Sequence, residues 1–474
     1  MSTIRQSSVA RGLKVVGALT ACVYLATCLF YAYRPGVYRS AGRELFAWFF
    51  SLTLLPLFYK GYRLVEESRE EATARVVVGF AAVFCLLTVL TVPFHSTDVF
   101  GYINRGWQQV HYGQNPYLYT LAEVPGWQQD PMLREHWLYN PVPYGFLFTL
   151  LARGLAWLGG GNWWLTLLLF KLVNAAAYAL TGWLVWRGAH RVGLERPALA
   201  LYAFLWNPLI LMHHLANGHN DILVGCLLAL TFYLLTTAAC LWTVPVLVAA
   251  ALLKYAPGLL APLALLFVWK RRGLKAALAG LGLGALLAVA VSAPYVKDWR
   301  RFRLEDIRDN ATLIDNSLHS LLIHLYRNLA RLFPPLAQFT GAVDTLIKTA
   351  LRVGFLAFVV FRAVRLPKDL TARRVMHETA LVLTVLICVV SSKFNGWYMG
   401  ILLPAALFLE EDHWLRRFVV LVTCAQLLSL TFFKQAYMLN YFAMVIVPAW
   451  IVYRQGKAGV RYQVPGDGGS NTGT

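Results

Sequence analysis

Apolar runs of about 20 residues recur along nearly the whole of this chain, and each is long enough to cross ~30 Å of hydrocarbon as a helix. Hydrocarbon offers no water to satisfy backbone N–H and C=O groups, so repeated runs of this kind demand a helical bundle. Charged residues are only 14% of the 474 positions, against roughly a quarter in soluble domains, which removes the alternative of a large water-soluble core. The expected fold class is an all-α polytopic membrane protein with about twelve full transmembrane helices plus partial, re-entrant and interfacial helices. It is read as one integral domain over residues 1–455, followed by a polar cytoplasmic tail at 456–474.

The excess of 43 Lys and Arg over 23 Asp and Glu sits in short clusters between apolar runs. That placement is the positive-inside pattern, and nucleic acid is not an expected partner. All seven cysteines fall inside apolar runs and behave as small hydrophobes, with no disulfide framework or metal spacing. The N-terminal run at 15–31 is read as a retained first span, because it is long and no small-residue cleavage site follows.

Charge placement orders the chain across the membrane. Spans are expected near 14–33, 44–58 and 76–94, with the basic loop at 60–75 cytoplasmic and the loop at 95–143 outside. Residues 144–158 carry Arg153 in mid-run and are read as half-inserted, which keeps the basic turn at 187–196 cytoplasmic and brings 217–221, NGHND, to the outside. Lys254 and Pro257 interrupt the run at 244–269, which is read as two half-helices returning to the side they left. Lys254 itself is assigned to structure or to headgroups on the cytoplasmic side. A second outer loop is expected at 296–340, with an amphipathic interfacial helix at 317–333. Later spans fall near 343–361, 378–390, 397–409, 418–433 and 441–453.

The stretch 95–119 breaks the composition abruptly after the third span. It places Asp98 just outside the bilayer, and in a helical reading Asp98, Tyr102 and Arg105 share one face until Gly113, Asn115 and Pro116 stop the helix. Asp98 is suited to cap that helix and to act as a general base, which requires a carboxylate within reach of a hydroxyl. Asp221 can cap the span that follows it, yet His219, Asn220 and Asp221 together are costly polar groups at a membrane boundary and mark a cavity or substrate path. Lys393, in SSKFNGWY, can snorkel to the interface or pair with a phosphate, with Arg105, Arg301, Arg303 and Lys434 as rivals. The histidine pairs 213/214 and 319/324 lack an acid or cysteine at metal-ligand spacing, and no nucleotide-binding loop is present.

In order along the chain stand DVFGYINRGW, GQNPY at 113–117, NPVPYGFLF at 140–148, GHND at 218–221, KYAPGLLAP and KFNGWYMGILLP. This order resembles the GT-C superfamily of integral membrane glycosyltransferases, in particular bacterial polyprenyl-phosphate-mannose-dependent mannosyltransferases, over roughly residues 95–405. Phe146 stands where such families usually have Pro. The resemblance implies inverting transfer of a sugar, most often mannose, from a polyprenyl-phosphate donor to a glycolipid or glycan acceptor outside the cytoplasm, in a multi-pass cell membrane protein without a cofactor. Asp98 would be the base. Tyr102, Arg105, Asn115, Tyr117, His219, Asn220, Asp221, Lys393, Trp397 and Tyr398 would be substrate-binding, and the polyprenyl chain would lie in a groove open to lipid. The competing class is a transporter or flippase of a lipid-linked saccharide, which would also suit a helix broken at KYAPG.

Overall fold

The computed structural model describes residues 2–33, 41–68, 71–140, 142–301, 316–429 and 440–461, and within them every regular element is a helix. Among the described residues, five helical segments are long and apolar enough to cross a membrane: Val9–Ala32, Ala72–Leu90, Trp163–Arg191, Pro197–Ala216 and Leu274–Ser292. These five do not establish the expected count of about twelve spans, since several apolar runs are divided into shorter pieces.

The first layer is built from α1 (Ser2–Tyr33), α2 (Ala41–Glu66) and α3 (Glu71–Leu90). A Cβ at Gly17 of α1 would stand 2.6 Å from the Phe80 ring of α3, so the close crossing of these helices depends on that glycine. Helix α3 delivers the chain to α4 (Asp98–His111). Its exit is fixed by buried Lys171, which donates to the carbonyls of Thr88 and Thr91 at the C-terminal end of α3. Lys171 belongs to α6 (Trp163–Arg191), so the third span and the sixth helix are tied together just before Asp98.

Helix α5 (Phe146–Gly159) has 14 residues and a length of ~21 Å at 1.5 Å per residue, short of a bilayer core. It packs along α4, where a Cβ at Gly106 would meet the Ala152 carbonyl oxygen at 2.3 Å.

The segment carrying NGHND is enclosed by the rest of the bundle: α7 (Pro197–Leu205), α8 (Pro208–Ile210) and the wide π turn Leu211–Ala216 form a run that is 94% buried. Asn207 restarts the helix by accepting from the Leu209 and Ile210 N–H groups. Helix α9 (Asp221–Leu235) then leads away, and α10 (Thr243–Leu253) returns beside it as an antiparallel partner.

The chain breaks after α10, where Lys254 takes an extended conformation, and resumes through Ala256–Leu260 into α11 (Ala261–Arg272). Arg272 at the end of α11 donates to the Ala238 carbonyl in the turn before α10. The two pieces therefore return to the end they left, as the half-helix reading expects. That same geometry places Lys254 at the Asp221 end of the hairpin, where it pairs with Asp221 in keeping with the structural alternative of its sequence reading and not with headgroup contact.

After α12 (Leu274–Ser292), helix α13 (Leu318–Leu332) is capped by Ser317, whose Oγ accepts from the Ser320 N–H. It matches the amphipathic helix expected at 317–333, exposing Leu322, Leu325, Leu329 and Leu332 while burying Ile323 and His319. The final helices are α14 (Thr340–Val364), α15 (Ala372–Val385), α16 (Met399–Ala406), α17 (Trp414–Ser429) and α18 (Val447–Arg461). Arg303, Lys434 and the tail from 462 onward lie outside the described residues.

Candidate active site

Asp98 is the first residue of α4, and its backbone N–H donates to Ser96 Oγ at 3.2 Å. Its side chain is 20% exposed and lies between two imidazoles, with His219 Nδ1 at 3.5 Å and His136 Nε2 at 3.7 Å. Burial, reinforced by the charge of Arg105, holds His136 down at about 4. Burial likewise holds His219 well below its ordinary range. Both rings are neutral near pH 7, so they frame the carboxylate without neutralising it. Burial pushes the Asp98 carboxyl upward; the Lys254 ammonium opposes that shift, Asp221 adds to it, and the Ser96 hydrogen bond and Lys393 oppose it further.

The NGHND turn is bonded directly to the segment before Asp98. Asn217 Oδ1 accepts from the Phe94 N–H at 2.9 Å and the His95 N–H at 2.7 Å, while its Nδ2 donates to Met212 O at 2.8 Å. Gly218 has φ +77°, and a Cβ there would lie 2.9 Å from Val99 Cγ2. Only glycine allows both the left-handed backbone and this approach to α4. Asn174 of α6 fixes the other side of the turn by donating to the carbonyls of His214 and His219. Residues 95–98 and 217–221 consequently occupy one end of the bundle.

Asp221 is fully buried and its Oδ1 meets Lys254 Nζ at 2.5 Å, while Oδ2 has no hydrogen-bond partner. Lys254 also lies over the Tyr398 ring at 5.2 Å and the Tyr144 ring at 6.0 Å. From the C-terminal half, Trp397 stacks on His219 with centroids 4.1 Å apart and planes at 12°. Glycine again sets the approach: a Cβ at Gly400 would be 2.3 Å from His214 Nε2. Lys393 reaches the first loop and lies over Trp137 at 5.8 Å, a residue held at φ +50°.

The sequence-derived residues separate into two groups. Asp98, His219, Asn220, Asp221, Trp397 and Tyr398 converge, with Tyr102 donating to Asn220 Oδ1 at 3.4 Å. Arg105 shares the helix with Asp98, but its guanidinium is buried and donates to Gln108 and to the carbonyls of Trp137 and Asn140, pinning the loop to α4. Asn115 donates to Tyr295 O at 2.9 Å, and the Tyr117 hydroxyl donates to Tyr144 O at 2.8 Å, so both fasten the loop. Sequence reasoning missed His136 and left Lys254 out of the site. A cation at a helix break with a proline was a signal for the second; nothing in the neighbourhood of His136 distinguished it. Among the described residues, no three His, Cys, Asp or Glu side chains are grouped to hold a metal ion.

The arrangement gives a carboxylate in a sheltered position, a second carboxylate paired with an ammonium in the same cluster, and an aromatic wall, groups of the kind that can accept a proton from a hydroxyl and offset anionic charge. Positions 12–271, more than half of the chain and all of the site except its 393–398 wall, match the family described as alpha-(1->6)-mannopyranosyltransferase, N-terminal domain. Alpha-(1->6)-mannopyranosyltransferase A of Corynebacterium glutamicum is 32% identical over 151 residues, covering 30% of this chain and 30% of the relative. Its namesake in Mycobacterium tuberculosis is 27% identical over 231 residues, covering 47% of this chain and 44% of the relative. The matched regions thus span less than half the length of these curated relatives. No solved structure matches the chain. With its matched segment containing Asp98, the NGHND turn and Lys254, the chain belongs to the alpha-(1->6)-mannopyranosyltransferase N-terminal domain family.

Proposed function

We propose that this protein is an inverting membrane glycosyltransferase that moves mannose from a polyprenyl-phosphate donor to a glycolipid or glycan acceptor at an extracytoplasmic site. The observation that carries the reading is Asp98: a sheltered carboxylate flanked by neutral histidines and near Lys254. Asp98 takes the proton of the acceptor hydroxyl. That oxygen then forms the bond to the anomeric carbon as the bond to the phosphate oxygen breaks, and the electron pair leaves on the lipid phosphate. Lys254 and Lys393 offset the growing negative charge, while Trp397 and Tyr398 form the wall against the sugar. The names of the relatives supply the sugar and support the reaction class.

A second reading, transport of a lipid-linked saccharide, is favoured by one observation: the helix broken at Lys254 beside buried Asp221. Purified wild type and Asp98→Asn, each incubated with radiolabelled polyprenyl-phosphate mannose and a membrane glycolipid acceptor, separate the two. Loss of a general base lowers the rate by about 10²–10⁴-fold. Unchanged product formation by the variant removes Asp98 from catalysis, and an absence of transfer by wild type accompanied by saccharide movement in vesicles supports the transporter.

A further inference from the structure

At the end of the helices opposite Asp98, a cavity of about 1020 Å³ lies among the end of α2, the turn at 193–196, the turn at 410–412 and the first half of α17. Its wall combines two kinds of surface. Leu55, Phe58, Val420 and Leu421 make it apolar along the helices, and Arg416, Arg417, Glu195 and Asp412 make it charged at the turns. Leu52 and Tyr59 on α2 and Trp414 on α17 are largely exposed around it, an arrangement typical of side chains that meet lipid and the headgroup boundary.

Arg416 is only 1% exposed. Its Nη1 donates to Leu409 O at 2.9 Å and makes a long ion pair with Glu411 Oε1 at 4.0 Å, an oxygen that also accepts from the Arg196 N–H. Nε and Nη2, the edge of a guanidinium that grips two oxygens of a phosphate side by side, have no partner. An interior cation with its fork unfilled is costly and calls for an oxyanion. Glu195 and Asp412 are exposed nearby and would repel a purely anionic headgroup.

We propose that this cavity is a binding site for a zwitterionic phospholipid with a primary ammonium headgroup. The phosphate engages the Nε and Nη2 edge of Arg416, which turns toward the cavity as it does so. The ammonium donates to Glu195 and Asp412, and the acyl chains lie along Leu55, Phe58 and Leu421. Phosphatidylglycerol lacks the ammonium, and a choline headgroup has no N–H to donate to the carboxylates.

The test is lipid retention by the delipidated full-length protein in detergent, read by native mass spectrometry with phosphatidylethanolamine, phosphatidylglycerol and phosphatidylcholine added separately. Phosphatidylethanolamine is expected to bind at least tenfold more tightly than the other two. Arg416→Gln should remove that binding. Since Arg416 is buried and its variant is at risk of misfolding, the surface double variant Glu195→Gln/Asp412→Asn provides a second arm, and it should abolish the preference over phosphatidylglycerol. Glycerophosphoethanolamine, the headgroup without chains, should not compete at equal concentration. Equal binding of the three lipids by wild type, an unchanged preference in the double variant, or full competition by the soluble headgroup would overturn the proposal.

Discussion

Lys254 Nζ lies 2.5 Å from the Asp221 carboxylate and joins the break after α10 to the first residue of α9. Asp221 is fully buried, whereas Lys254 is 22% exposed. Removing the lysine leaves an interior carboxylate without its counter-charge, and removing both leaves no charge to compensate. Lys254→Gln should therefore lower stability by about 3 kcal/mol, the low end for a broken buried pair because Lys254 is partly in water. Lys254→Gln/Asp221→Asn should recover at least half of that loss. Thermal unfolding of the purified single and double variants in one detergent checks the coupling; additive losses would show that the pair is not energetically linked.

The same lysine opposes the rise that burial imposes on the Asp98 carboxyl. Burial raises that carboxyl, and a base with a raised folded-state pKa loses its active, ionised form at a higher pH than an ordinary aspartate does. Transfer should accordingly fall, as pH is lowered, at a point above the usual carboxylate range. Lys254 opposes the shift, so Lys254→Gln should move this acid limb to still higher pH. His136, held at about 4, is already neutral there, and His136→Gln should leave the limb where it is. The kcat/KM profile of the three proteins between pH 4 and 9 measures this, and a limb that moves downward in Lys254→Gln would contradict the electrostatic account.

What could be read before the fold was known follows from the range of the interactions. Helix α4 from Asp98 to His111 and its stop at Gly113, φ +64°, come from local periodicity and a turn residue. The Ser317-capped helix and the break at 254 are local for the same reason. Lys254 and Asp221 are 33 residues apart and meet only because α9 and α10 close as a hairpin. Arg105 shows the converse: helical spacing put it on the face of Asp98, but the carbonyls of Trp137 and Asn140 fold back and take its donors. Spacing on one helix reveals a shared face, and the partners across it require the tertiary closure.

The side of the membrane on which the site opens is testable with single cysteines in a background lacking the native ones. Asn217 is a poor position for such a probe, since it is buried and holds residues 94 and 95 through its side chain. Gln128 in the first loop and Lys275 after α11 are both exposed. With a membrane-impermeant thiol reagent applied to intact cells, Gln128→Cys should label and Lys275→Cys should label only after permeabilisation. The reverse pattern would place Asp98 in the cytoplasm and remove the proposed extracytoplasmic transfer.

Two glycines with similar positive φ separate strain from contact at the site. Gly113 has φ +64° with open space where a Cβ would stand; Gly218 has φ +77° with Val99 Cγ2 2.9 Å from that position. Alanine at either should cost on the order of 1 kcal/mol for the left-handed conformation. Only Gly218→Ala should also push the NGHND turn away from α4, moving His219 relative to the Asp98 carboxylate 3.5 Å away. The expected outcome is a loss of thermal stability in both variants, larger in Gly218→Ala because buried Val99 must also shift, with kcat reduced at least tenfold in Gly218→Ala and within twofold of wild type in Gly113→Ala. A displacement of about 1 Å at a reacting group is enough for a loss of that size. Equal kcat values in the two variants would show that the packing of the turn on α4 does not position the site.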